Sequence, residues 1–210
     1  MAVPGRAIRI TYSDERETLA RFLGIDPGHL AFAMQKHSDQ IRTVTSSGPA
    51  GECDSLVTSD PNIVLSIQVA DCVPVFLHDP VSRTTGLVHA GWRGTAISVT
   101  RKTVDEMANL FGSRPEEIEA FLGPSIRACC YKVEEDAASR FSEQFLEQRD
   151  GNHLFLNLAK ANLQQLTEGG VLRENIREDD RCTFCHGGGF QSYRRDGHRA
   201  GRMLCLMSAT

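Results

Sequence analysis

Three apolar runs follow one another with almost no spacing: IVLSIQVA at 63–70, VPVFLHD at 73–79 and TTGLVH at 84–89. Each is short, aliphatic or β-branched, and bounded by Asp, Pro, Gly or Ser, which reads as a series of strands. The first two read as buried strands with Asp71, Cys72 and Pro74 at their joint. The third runs into GLVHAGWRGTAI at 86–97, where Gly91 and Gly94 bracket the single tryptophan and Arg93. Such a chain is committed to a sheet whose strand ends carry cysteine and histidine.

Further strands are expected at RAIRITY (6–12), LAFAMQ (30–35), QIRTVT (40–45) and DSLVT (54–58), so the first ninety residues are mostly β. The GPAGE stretch at 48–52 reads as a loop. A helical period begins after Gly94, with Ile97, Val104, Met107 and Phe111 recurring and Gly112 ending the pattern. A second helix is expected over 134–147, where Ala138, Phe141 and Phe145 share a face. A third starts from Asn157 as N-cap, passes through Leu163 and Leu166, and stops at Gly169-Gly170. Strand-like segments return at 118–122, 171–182 and 203–207. Strands in a block, then strands mixed with helices, predict an α+β layered domain: a single domain over residues 1–210 with a mixed β-sheet core flanked by helices.

Net charge is −4 and the basic residues are spread along the chain, which argues against a nucleic-acid partner. No apolar run approaches the ~18–20 residues needed to span a bilayer, and MAVPGRAIRITYSDE lacks the pattern of a signal peptide. Seven cysteines, an odd number, make a complete disulfide framework a poor reading and leave reduced thiols, metal ligation or catalysis. A cytoplasmic protein is expected, with no membrane or nucleic-acid partner; the sequence leaves monomer and homodimer open.

His37, Cys72 and His89 each fall at a strand end, where a scaffold can hold side chains around one point. Two histidines and a cysteine form a catalytic zinc set with a fourth position open. Their separations of 35 and 17 residues match no compact finger, so spacing alone leaves two readings: a site assembled by the fold, or a buried thiol and two ordinary histidines. Arg93 reads either as a surface ion pair or as a two-pronged phosphate or carboxylate ligand, with helix N–H groups after Gly94 adding an anion preference. Trp92 reads as packing. Arg194, Arg195, Arg199 and Arg202 lie within nine residues around the Asp196-Gly197 turn and offer a second wall to an anion pocket. Cys182 and Cys185 form a Cys-x2-Cys pair followed by His186. The nearest other thiols, Cys129 and Cys130, are adjacent, which argues against a second zinc site. Cys53 and Cys205 read as core thiols.

The blocks QKHSDQI, DSLVTSDP, VADCVPVFL, GLVHAGWRG, LGPSI…CCYKV and CTFC…FQSYRRDG…AGRM occur in that order over roughly 30–207. Together they resemble the laccase-domain, or YfiH-like, family, also called multicopper polyphenol oxidases and associated with purine nucleoside phosphorylase activity. The resemblance implies an α+β fold with a mixed sheet core and a metal, usually zinc, held by His37, Cys72 and His89. It also implies Arg93 and the SYRRDG residues Ser192, Tyr193 and Arg194 in the site. Lys36 and Ser38 replace the family's usual Val and Gly around the first histidine, and Cys185 with the HGGG run at 186–189 departs from its pattern.

Three mechanisms follow from the resemblance and the triad. The first is zinc-dependent phosphorolysis of adenosine, inosine and methylthioadenosine to base and ribose 1-phosphate, with adenosine deamination as a side activity. Cys72, His89 and Arg93 are its expected catalytic residues, Arg93 and Arg194 its phosphate ligands, and Asp71 a candidate proton shuttle. The second is copper-dependent polyphenol oxidation. Cu²⁺ can take zinc's ligands, but a multicopper enzyme needs a second, histidine-rich cluster, and the chain has seven His and no His-x-His pair. The third is a metal-free cysteine hydrolase, a cell-wall peptide amidase with Cys72 as nucleophile and His89 as base. A non-enzymatic, metal-stabilised interaction module is the bland alternative.

Overall fold

Leu87 and Val88 are neighbours in the strand Thr84–Ala90 and both are fully buried, yet they face different cores. Side chains alternate across a strand, so a strand buried on both faces must lie between two layers. This alternation sets the architecture. The computed structural model describes residues 16–149, 151–186 and 189–209 in full, and the strand backbone at 2–3, 6–7 and 9–11.

A six-stranded mixed sheet runs in the order Ile176–Glu178, Glu119–Leu122, Val73–Asp79, Thr84–Ala90, Ser55–Thr58, Ile41–Thr43. A five-stranded mixed sheet runs Arg9–Thr11, Met203–Met207, Val64–Val69, Leu30–Met34, Gly48–Glu52. Leu56, Phe76 and Leu87 of the first meet Ala31, Leu65, Ile67, Met203 and Cys205 of the second in one apolar layer. The other face of the six-stranded sheet, with Val57, Val75, Leu77 and Val88, is covered by helices Val99–Phe111 and Leu158–Glu168. The outer face of the five-stranded sheet, with Leu30, Val64, Leu204 and Leu206, is covered by Leu19 and Ala20 of helix Arg16–Phe22. The expected α+β fold with a mixed sheet core and flanking helices is therefore what forms.

The helix Val99–Phe111 buries Val99, Thr100, Thr103, Val104 and Met107, a stripe at helical spacing, and ends at Gly112 in the left-handed region, as its sequence predicts. Asn157 caps Leu158–Glu168 by accepting from the Lys160 N–H at 3.0 Å. Asn162, fully buried, accepts from the Thr100 hydroxyl at 2.6 Å and donates to Thr95 at 3.0 Å, so its buried amide is paired on both sides.

Several expectations need correction. GPAGE is not a loop: Gly48–Glu52 is a strand at the sheet edge, where Pro49 is tolerated because one side of the ladder is unpaired. The helix expected over 134–147 is only Glu135–Ala138; the chain then turns and forms the strand Leu146–Arg149, paired with His153–Leu156. That hairpin wins because its cross-strand pairing supplies the partners for the 146–149 backbone, and Phe145 still reaches the core beside Phe141. Of 171–182, only Ile176–Glu178 is strand. The 6–12 strand lies partly outside the described residues; its backbone is strand at Arg6–Ala7 and Arg9–Thr11. The helix after the glycine turn is broken in two, Trp92–Ala96 and Val99–Phe111, at Ser98 with φ 64°, which leaves Ile97 on the surface.

The chain passes between the two sheets three times at one end of the sandwich. It crosses after Leu30–Met34 on its way to Ile41–Thr43, after Gly48–Glu52 on its way to Ser55–Thr58, and after Val64–Val69 on its way to Val73–Asp79. These crossings hold His37, Asp54 and Cys72 respectively. His89 pairs with Pro74 in the ladder, which brings it to the same end. The Phe76 ring, buried in the layer between the sheets, should matter most there: Phe76→Ala is expected to lower unfolding free energy by about 3–5 kcal/mol in urea melts. A loss under about 1 kcal/mol would show that the two sheets do not close on it.

Candidate functional site

Asp54 is fully buried at the second crossing and accepts five hydrogen bonds. Three come from successive backbone N–H groups of Lys36, His37 and Ser38, at 3.1, 3.0 and 2.6 Å, and one from the Ser38 hydroxyl at 2.7 Å. Successive N–H groups converge on one anion only where the backbone departs from extended form, and His37 does so with φ 60°. The fifth comes from His89 Nδ1 at 2.8 Å. A carboxylate only accepts, so Nδ1 carries the proton and Nε2 is left as the imidazole's remaining nitrogen. Burial alone would raise the Asp54 pKa, but the bonds from His89 and Ser38 outweigh it and hold the carboxyl well below the usual range.

The ligand atoms of His37, Cys72 and His89 lie within 4.8 Å of one another, with Cys72 Sγ 3.9 Å from His37 Nε2 and the two imidazoles edge to face at 4.9 Å. The sequence-predicted triad therefore converges. Burial opposes ionisation of Cys72, yet His89 and His37 bring its thiol down to about 6. Burial would lower His89, and the facing Cys72 sulfur and Asp54 raise it to about 9. Two histidines and a cysteine, one histidine oriented by a buried carboxylate, are the kind of donor set that a carboxylate–histidine–metal site uses.

The glycines of the turn now have a physical reason. A Cβ on Gly91 would lie 2.8 Å from His37 Cδ2 and 3.1 Å from Cys72 Sγ, and one on Gly94 would lie 2.9 Å from the Ser38 carbonyl oxygen. Both glycines let the short helix Trp92–Ala96 press against the triad and its loop. That helix starts at Trp92, so Gly94 lies inside it and the anion preference expected of N–H groups after Gly94 is not formed there.

The triad opens into a cavity of about 850 Å³ lined on its other sides by Gln35, Gln68, Trp92, Arg93, Tyr131, Tyr193, Arg194 and Arg202. A second hollow of about 410 Å³ shares Trp92, Arg93, Tyr131 and Arg194 with it. The Arg93 guanidinium stacks 4.2 Å over the Trp92 ring, and Trp92 packs on the core, as expected. Arg194 donates to the Lys132 carbonyl at 2.6 Å and stacks on Tyr131 at 5.1 Å. Of the other arginines near the C-terminus, Arg195 is taken up by Asp196 and the carbonyls of Thr183, Phe184 and Phe190, a structural brace rather than a pocket wall. Ser192 caps its helix by accepting from Arg195 N–H.

The Asp71 carboxylate is taken up by partners outside the triad. It accepts from the Thr183 hydroxyl at 2.6 Å and from the Arg194 backbone N–H at 2.7 Å. These bonds hold the chain around Arg194, and Asp71 also lines the cavity. Asp54 and Tyr131 are the residues that sequence reasoning missed. Asp54 stands in the DSLVTSDP block immediately before a strand, and its place at the head of that strand is the one signal that pointed to it. Tyr131 stands in CCYKV, where nothing local marks it.

The family model described as multi-copper polyphenol oxidoreductase laccase matches residues 11–210. The chain belongs to this family. It is 38% identical over 200 residues to a purine nucleoside phosphorylase of Deinococcus radiodurans, covering 93% of this chain and 76% of that one. It is 32% identical over 206 residues to the adenosine deaminase RL5 of an unknown prokaryotic organism, covering 90% and 78%. Among solved structures, YfiH of Bacillus licheniformis superposes with a TM-score of 0.86 at 32% identity, covering 92% of this chain and 79% of that one. YlmD of Geobacillus stearothermophilus gives 0.85 at 30%, covering 92% and 78%.

Asp54→Asn places an amide N–H₂ against backbone N–H donors. Zinc affinity, measured by competition with a chromophoric chelator, is expected to fall about 10–100-fold. Gly91→Ala should weaken zinc similarly while leaving the far-ultraviolet circular dichroism unchanged, because the added methyl meets only His37 and Cys72 closely. Unaltered affinity in both variants would mean that the triad does not bind the metal.

Proposed function

We propose that this chain is a metal-dependent purine nucleoside phosphorylase that converts adenosine, inosine or methylthioadenosine and phosphate to free base and ribose 1-phosphate, with adenosine deamination as a side activity. The observation that carries this reading is the placing of a His–Cys–His set, open on one side, in one cavity with two arginines and a tyrosine. The names of the phosphorylase and deaminase relatives support it. His37, Cys72 and His89 would hold zinc, and Cu²⁺ can take the same ligands by its higher intrinsic affinity. When bound, zinc supplies a Lewis acid and lowers the pKa of a coordinated water.

The chain's own residues do the rest. Arg93 and Arg194 flank the cavity, and a phosphate held between them would face the positive charge that builds on ribose as the glycosidic bond breaks. Arg194 is already fixed by Lys132 and Tyr131, so little ordering is left to be done when the anion arrives. Burial and the nearby Cys72 sulfur push the Tyr131 phenol up, so it stays neutral and offers both an aromatic face for a base and an O–H donor. Copper oxidase chemistry of the multinuclear kind lacks its ligands: among the described residues the only other metal-capable group is four cysteines.

A second reading rests on a specific observation. Cys72 down at about 6 beside His89 up at about 9 is also the ionisation pattern of a cysteine nucleophile with its base. Chelation separates the two. Ribose 1-phosphate formation from inosine is expected to require phosphate, to stop on full metal removal, and to drop at least about 10³-fold in Cys72→Ala. Activity that survives chelation would overturn the metal-dependent reading in favour of the nucleophile. Arg93→Lys is expected to raise the phosphate KM about tenfold, through loss of the two-pronged contact, and the nucleoside KM far less. Equal shifts in both would remove Arg93 from the phosphate site.

A further inference from the structure

On the far side of the cavity wall, two turns bring together the four cysteines that the triad does not use and the core does not absorb. Cys129 and Cys130 stand in the turn that leads to Tyr131, and Cys182 and Cys185 in the turn after the strand Ile176–Glu178. All four sulfurs lie within 4.8 Å of one another, and Cys129 Sγ is 3.7 Å from Cys185 Sγ. Adjacency in sequence argued against Cys129 and Cys130 as partners of the Cys-x2-Cys pair. That argument fails because side chains on a tight turn diverge: the Cys130 and Tyr131 N–H groups both fold back to the Arg127 carbonyl, at 2.9 Å, and both sulfurs reach the opposite turn.

The spacing distinguishes two chemistries. A disulfide holds its sulfurs about 2.05 Å apart, and all four of these cysteines are free thiols. Four thiolates around zinc at about 2.3 Å form a tetrahedron whose edges are roughly 3.8 Å, close to the 3.7 Å seen. Cys182, the buried member, is also provided for as a thiolate. The Arg127 N–H points at its sulfur at 3.4 Å. Backbone donors on the first sulfur of a Cys-x2-Cys turn neutralise part of a thiolate's charge.

We propose that Cys129, Cys130, Cys182 and Cys185 form a closed four-thiolate zinc site, separate from the His37–Cys72–His89 set, that clips the two turns together. Binding replaces four S–H protons by one Zn²⁺, with the protons released to solvent and no change of oxidation state. The clip is structural, since all four positions are protein ligands and none is open to substrate. Its consequence reaches the cavity through its neighbours. Tyr131 follows Cys130 and lines the cavity, while Thr183 follows Cys182 and holds the Asp71 carboxylate that fixes the Arg194 backbone. Without metal the turns are joined by the Ser125–Cys182 bridge, the Thr183 N–H to Ser125 carbonyl bond at 3.0 Å, the Arg127 N–H on the Cys182 sulfur and the Arg127–Glu178 ion pair at 3.1 Å.

The test uses the full chain expressed without added copper and counts metal per chain after dialysis. Cys72→Ala, which removes the sulfur of the other set, is expected to keep one tightly held zinc. Cobalt reconstitution of that variant should give the intense visible bands and sulfur-to-cobalt charge transfer of four thiolates. Cys185→Ser should lose that zinc and that spectrum. If Cys185→Ser does not fold, the wild-type protein decides: thiol modification with a mercurial should release zinc in step with the loss of four thiols. A Cys72→Ala protein without zinc, a brown iron chromophore, or disulfides between these cysteines in non-reducing mass spectrometry would each overturn the proposal. Because Cys72→Ala is inactive under the functional reading, loss of nucleoside activity leaves this outcome untouched.

Discussion

One buried carboxylate organises the site. Asp54 takes three backbone N–H groups and a hydroxyl from the loop that carries His37, and the imidazole N–H of His89 from the neighbouring sheet strand. A charge buried that deeply is stable only when its lone pairs are filled, so the loop, the strand and the ring are fixed by the same requirement. The left-handed backbone of His37 follows from it. Remove the carboxylate and nothing obliges the 36–38 segment to present the first ligand toward the other two.

The second ligand is fixed by a parallel device. Asp71, with φ 86°, turns the chain from one sheet into the other and is held by Thr183 and the Arg194 N–H. Cys72 is thereby aimed at His37 and His89, and the arginine wall is tied to the same joint. Two aspartates, both at crossings between sheets, thus position His37, Cys72, His89 and Arg194. Such supporting shells tune orientation and affinity without touching substrate.

Much of this was legible because it is written in local pattern. The runs 73–79 and 203–207 read as strands and are strands; Asn157 and Gly112 read as helix ends and are helix ends. His37, Cys72 and His89 stood at strand ends, but spacing alone left a buried thiol and two ordinary histidines as an open reading, and only the resemblance of the blocks around them singled them out. Where local pattern failed, a longer-range partner had overridden it. The apolar spacing of Ala138, Phe141 and Phe145 suits a helix, but Leu146–Arg149 found a cross-strand partner in His153–Leu156. Gly48–Glu52 looks like a loop in isolation and is a strand only because Leu30–Met34 offers it an edge.

The sequence by itself determined the strands at 73–79 and 203–207, the helix ends at Gly112 and Asn157 and the glycine turn, since each depends on residues a few positions apart. Tertiary structure alone decided that the strands from Leu30–Met34 to Val73–Asp79 alternate between two sheets, because side-chain alternation shows that both faces are buried but not which neighbour buries them. That decision places His37, Asp54 and Cys72 at successive crossings on one end of the sandwich. It also brings Cys129 and Cys130 to Cys182 and Cys185, some fifty residues on, a meeting that spacing argued against. Distances between thiols or imidazoles are set by how layers close over an apolar core, and no count of intervening residues encodes them.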